Sequence, residues 1–165
     1  MTLTLIRGPQ EDFVHLDDLK AHLRVDHDDE DLYIAGLAAA AMAHIDGPRG
    51  ILGRCIQPQV WRKELQGLDG PERLNLPGVT DVQVVDGADV RVTRLGGWTY
   101  VFGAGAVEFT ASTPEDSWPA LRMAVLLLVG HWYAEREASV EGSTVLALPL
   151  GVVRLLTPFR TGWVA

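Results

Sequence analysis

The sequence predicts an α+β fold: a mainly helical core carrying a β-hairpin-rich insert. Three observations lead there. Apolar residues recur at helical spacing through residues 16–47, and the same spacing returns over residues 117–157. Between them, residues 56–110 are rich in β-branched and aromatic residues broken by glycine pairs and Asp-Gly steps, the texture of short strands. With 165 residues, 47% hydrophobic and 22% charged, the chain has the size and composition of one core-forming domain. The expected organisation is therefore one domain over 1–165, with a helical core at 16–47 and 117–157, a strand-rich insert at 56–110 and a C-terminal tail at 158–165.

Each element has its own local signal. Leu16, Leu19 and Leu23 predict a short helix, with Asp17 as candidate N-cap and Lys20 and Arg24 toward the negative C-terminal end. A longer helix is expected from Asp28, whose carboxylate can cap it, to about Asp46, before Gly47-Pro48. Ala35, Gly36 and the alanines at 38–41 and 43 make it a helix of small residues with Leu32, Leu37, Met42 and Ile45 as larger knobs. Gln57–Leu65 reads as a strand. Val82, Val84 and Val85 before Asp86-Gly87, with Val90 and Val92 after it, predict a hairpin. Trp98–Phe102 and Ala106–Thr110 read as a further pair. A third, apolar helix begins with Ser117 as candidate N-cap and Trp118-Pro119, and repeats Leu121, Val125, Leu128 and Trp132 on one face. After a polar linker at Ser139–Thr144, a last short helix runs from Pro149 to about Thr157-Pro158.

Composition narrows the function classes. The net charge of −8 lacks the basic footprint of tight nucleic-acid binding. Residues 1–50 hold ten acids against four bases, so the excess lies in the N-terminal helices. No uncharged apolar run approaches a membrane span, and the N-terminus lacks the parts of a signal peptide. Cys55 stands alone, which excludes an internal disulfide and a cysteine-rich zinc site.

The acidic run Asp26–Asp31 is the one candidate ion site. As a calcium loop it would place Asp31 where glycine is required and Leu37 where a bidentate glutamate belongs, so Asp28, Asp29, Glu30 and Asp31 read better as helix-start charges. His22 and His27 lie near these carboxylates and keep a small metal-dependent hydrolase as an alternative. No His-Glu-x-x-His pair accompanies them. Gly103-Ala104-Gly105 reads as a turn, because Glu108 stands where a dinucleotide fingerprint needs its third glycine. No phosphate loop or nucleophile elbow is present. The residues point to no catalytic set, no metal and no cofactor; a monomeric binding module is the third class kept open. Trp163, near the chain end, is a candidate docking residue for a partner or for its own domain.

Leu19–Asp26, the run Asp28–Asp31 and the alanine-rich helix after it resemble the opening of gp6-like head-tail connector proteins of tailed phages. Ala124 to Ala138, through His131-Trp132-Tyr133, resembles their later helix, and Leu148–Leu156 with Pro158-Phe159-Arg160 resembles their C-terminal signature. The blocks stand in family order, while the strand-rich insert matches only in kind. The resemblance implies a structural adaptor, not an enzyme: a ring of twelve copies between the portal and a stopper or tail component of a phage or gene-transfer particle, with DNA passing through without sequence-specific binding. It implies residence at the head-tail junction of the virion and, during assembly, in the bacterial host cytoplasm. It further implies an acidic lining of the DNA path from Asp28, Asp29, Glu30 and Asp31. A mobile C-terminal segment with Arg154, Phe159, Arg160 and Trp163 would meet the portal.

Overall fold

The computed structural model describes residues 3–67, 70–87, 90–135 and 148–161. Within them, four helices and seven strands form a helical half and a sheet half, each with its own apolar core. The α+β class agrees with the sequence reading.

The helical half packs α1 (Leu16–Leu23), α2 (Asp31–Ile45) and α4 (Leu150–Leu156) around α3 (Trp118–Ala134). The apolar repeat of α3 explains this centre: Leu121, Ala124, Val125, Leu128 and Val129 are buried, with Leu19, Ile34, Ile45 and Leu156 against them. Each of the leucine, valine and isoleucine side chains contributes roughly 1.5–3 kcal/mol on burial. Helix α2 buries one face, Ile34, Ala41 and Ile45, and leaves the opposite face exposed.

Three expected caps take different forms. His15, not Asp17, occupies the N-cap position of α1, and Asp17 lies inside the first turn, where the helix dipole still favours it. Helix α2 starts at Asp31, later than expected, because Arg24 adopts a left-handed conformation (φ 58°) that ends α1 and turns the chain so that Asp28 meets Lys20 instead of capping. Ser117 does precede α3, but its hydroxyl donates to Asp116 at 3.2 Å and leaves the helix uncapped.

The sheet half contains β1 (Leu3–Arg7), β2 (Gln59–Gln66), β3 (Glu72–Arg73), β4 (Val79–Asp86), β5 (Arg91–Leu95), β6 (Trp98–Phe102) and β7 (Ala104–Ala111). They form an antiparallel sheet in the order β1-β2-β7-β4 and a second in the order β3-β6-β5. The expected hairpin across Asp86-Gly87 does not form, since β4 pairs with β7 and β5 with β6. Nor do Trp98–Phe102 and Ala106–Thr110 pair with each other.

The register gives the reason. Asp86 faces Ala106 and Arg91 faces Phe102, so β4 and β5 follow one another along the outside of β7 and β6. Gln66 faces Ala104 and Glu72 faces Val101 on the other side. The two sheets are therefore consecutive stretches of one three-stranded ribbon, bent along a glycine line. A Cβ on Gly87 would lie 2.0 Å from the Ala104 carbonyl oxygen, and one on Gly105 would lie 2.0 Å from that of Asp86. Both glycines have positive φ, 119° and 123°. The true turn is Gly96-Gly97, at φ 59° and 79°, as a two-residue hairpin with both centres left-handed requires.

The bend folds the ribbon over its own core. Leu74, Leu76 and Val101 from one side meet Trp61, Val107 and Phe109 from the other. Lys63 also points inward and is 1% exposed. Its Nζ donates to the Arg73 carbonyl at 2.5 Å and lies 3.5 Å from the Glu72 carboxylate, which also accepts the Gln66 N–H at 2.6 Å.

Candidate interaction surfaces

Asp46 joins the two halves. Standing just after α2, it accepts the Ile56 N–H at 2.7 Å and the Gln59 side-chain amide at 2.5 Å. Burial raises its carboxyl above the ordinary 3.8, with the hydrogen bonds pulling the other way. The neighbouring Cys55 thiol is fully buried, donates to Gln59 at 3.4 Å and is pushed up to about 12 by burial and by the Asp46 charge. This is an inert thiol. A groove of about 710 Å3 beside the joint is lined by Pro9–Phe13 and by Ala39, Met42 and Ala43 of α2. Glu11, Asp12, His15, Asp46 and Gln57 are among the polar side chains that line it.

The acidic bend is organised around one cation. Lys20 Nζ lies 2.5 Å from Asp28 and 2.8 Å from Asp31. The lysine holds the Asp28 carboxyl below its usual value, and the two carboxylates raise the lysine. Glu30 accepts the Tyr133 hydroxyl, which ties the start of α2 to the end of α3. Asp29 projects outward, 95% exposed, with His27 3.9 Å away. The structure thus brings Asp28 and Asp31 together on Lys20 and directs Glu30 and Asp29 elsewhere. Among the described residues no three His, Cys, Asp or Glu side chains are grouped as metal ligands. His22 approaches α3 instead, where a Cβ on Gly130 would sit 3.2 Å from its Nε2.

At the C-terminal end, α4 is anchored by the buried Val152 and Leu156, and Arg154 faces solvent. Phe159 is half-buried against the helical core, Arg160 is exposed, and Thr161 reaches back to the Leu52 carbonyl through both its N–H and its hydroxyl, each at 2.9 Å. Trp163, Arg136–Ala138 and the linker Ser139–Thr144 lie outside the described residues.

Sequence reasoning missed three features. Strand β1 is short, and Leu3 and Leu5 on either side of Thr4 are its alternating signal, broken by the bulge between Leu5 and Arg7. Strand β3 and the buried Lys63–Glu72 pair have no local signature, because the partners come from different strands. Among the described residues nothing pairs with the outer edges of β1 and β4, where Leu5, Ile6, Val84 and Val85 are each nearly half exposed.

The whole fold has counterparts in solved structures. A chain in a structure titled "Virion of native gene transfer agent (GTA) particle" superposes with a TM-score of 0.71 at 21% identity, over 100% of this chain and 98% of that one. A chain in a structure titled "Neck of empty GTA particle computed with C6 symmetry" superposes with a TM-score of 0.69 at 20% identity, with the same coverage. No family model and no curated protein matches the chain. At this identity the likeness establishes a shared fold, end to end and including the insert.

Proposed function

We propose that this protein is a structural connector of a tailed phage or gene-transfer particle, a ring component of the neck between the portal and a stopper or tail component. The observation that carries the reading is the end-to-end fold likeness to chains of gene-transfer-agent particles, one of them a neck. The gp6-like resemblance of three separate sequence blocks points the same way. Twelve copies are compatible with a neck treated with six-fold symmetry, twelve being a multiple of six. In such a ring the outward Asp28 and Asp29, 89% and 95% exposed, supply an acidic lining that repels the DNA backbone and lets the duplex pass. Arg154 and Arg160, exposed at the opposite end of the sequence, with Phe159 and Trp163, form the portal-facing set.

The decisive experiment images purified particles and counts copies of this chain at the portal vertex. Twelve copies in a closed ring is the expected result; absence from the vertex refutes the reading. The hydrolase alternative is tested by metal titration. Tight, stoichiometric binding abolished by replacing Asp28 and Asp31 would favour it, whereas the Lys20 ammonium already seated on those carboxylates predicts none.

A further inference from the structure

The ladder of the larger sheet can be followed residue by residue from edge to edge. Thr4 of β1 faces Arg62, Arg62 faces Glu108, and Glu108 faces Gln83 of β4. One step along, Leu5, Trp61, Phe109 and Val82 form the next row, and Leu3, Lys63, Val107 and Val84 the row on the other side. Each row ends in an exposed or half-buried side chain at both edges, apolar in the two rows that face the core. An open edge of this kind is a template for another strand unless it is blocked. Neither β1 nor β4 contains proline, and their bulges lie between Leu5 and Arg7, between Val79 and Asp81 and between Val84 and Asp86, leaving Leu3–Leu5 and Asp81–Val84 regular.

The two edges complement one another. The only charge on β1 is Arg7, and the only charges on β4 are Asp81 and Asp86. Among the described residues Arg7 enters no ion pair within its own chain. Direction fits as well. All three pairings in the sheet are antiparallel, so β1 and β4 run oppositely, and a second copy in the same orientation sets its β1 antiparallel to this β4. Such a contact is head to tail. It leaves one free edge of each kind on every copy added, and it closes only as a ring.

We propose that β4 of one copy pairs with β1 of the next, extending the sheet across the subunit boundary. The partner is a second copy of this chain. Strand addition supplies main-chain hydrogen bonds, Leu5 and Leu3 continue the Val82 and Val84 rows, and Arg7, whose own row runs through Val60 and Thr110 to Asp81, lies toward Asp81 of its neighbour. The inference rests on the ring reading above and specifies how its subunits meet.

The test is a disulfide trap. Thr4→Cys and Gln83→Cys lie three strand spacings apart within one chain, about 14 Å, which is too far to bridge internally. The native thiol is buried and inert, so it does not compete. Oxidation of the Thr4→Cys/Gln83→Cys double variant, at the highest soluble concentration and in assembled particles, is expected to yield a ladder of covalent multimers. Cysteine at Asp81 in place of Gln83 covers a two-residue register shift. Dimers from either single variant would mean like edges pair and would overturn the proposal, as would no ladder in either setting. Arg7→Glu should abolish the ladder and Asp81→Arg added to it should restore it; a ladder indifferent to both removes the charge argument. A ring in particles without cross-linking refutes the edge contact and leaves the neck reading intact. Cross-linking in solution by a chain absent from the neck does the reverse.

Discussion

Lys63 and Glu72 form the most consequential side-chain pair in the sheet half, since both are nearly inaccessible and each leaves the other charged in an apolar setting if removed. Lys63→Ala should lower unfolding stability by about 3–5 kcal/mol, read from urea denaturation, because an uncompensated buried carboxylate remains. Lys63→Met with Glu72→Gln should recover most of that loss, the glutamine still accepting the Gln66 N–H. A single variant as stable as the parent would show the pair to be idle. Asp46 makes a different prediction. Its folded carboxyl is held above 3.8 by burial, so the folded chain binds a proton more tightly than the unfolded one. Its contribution to stability therefore falls as pH rises from 3.8 through the folded value, and Asp46→Asn should flatten that part of the stability–pH profile. Asp28, held low by Lys20, has the opposite sign: its contribution is complete above 3.8 and disappears as pH falls through its lowered value. Asp46→Ala should cost about 1–3 kcal/mol, since it orphans the Ile56 N–H and the Gln59 amide.

Among the elements, the bent ribbon depends on a few backbone positions and the helices on their faces. Gly105→Ala should destabilise by at least about 1–3 kcal/mol, because a methyl there meets the Asp86 carbonyl and the residue must hold a strained positive φ. Gly96→Asn, in a turn with open space around it and φ 59°, should stay within about 1 kcal/mol of the parent. Parallel thermal melts of the two variants check both, and equal losses would contradict the assignment of bend and turn. Asp-Gly was the stronger hairpin signal in the sequence, yet Gly96-Gly97 makes the turn. At Gly87 the left-handed backbone serves the crossing of two strands from sheet to sheet, a demand set by Ala104 and Gly105 on another strand. Helix α3 was legible throughout because its apolar period matches the neighbours that surround it. Helix α2 was legible as a helix but not in its first residue, which Lys20 decides by drawing Asp28 away.

For the molecule as a whole, the proposed contacts are probed through its exposed charges. Asp29→Asn should leave the fold unchanged, since the side chain is almost wholly exposed. Replacing Asp28 and Asp31 together strips both carboxylates from Lys20 and is a less specific probe of the proposed acidic lining. Truncation before Pro158 likewise removes the Phe159 packing and the Thr161 bonds to Leu52, so the proposed portal contact is better probed by Arg154→Glu with Arg160→Glu. These should weaken association with the portal at unchanged melting temperature, measured by co-sedimentation and by thermal melts. Undiminished association would remove the two arginines from that interface.

The sequence alone determined the helical blocks, the strand-rich texture between them and the absence of any familiar catalytic motif, because helical period, composition and motif spacing are local properties. It also carried a resemblance to phage connectors in three blocks, while the fold likeness to chains of gene-transfer-agent particles is a property of the whole structure. Only the tertiary structure decided which strands pair, where Lys63 finds its counter-charge, how Asp46 joins the halves and which sheet edges stay open. Pairing in a sheet is a choice among distant partners, settled by which arrangement buries Trp61, Leu74 and Phe109 together and satisfies the backbone. No window of neighbouring residues contains that comparison.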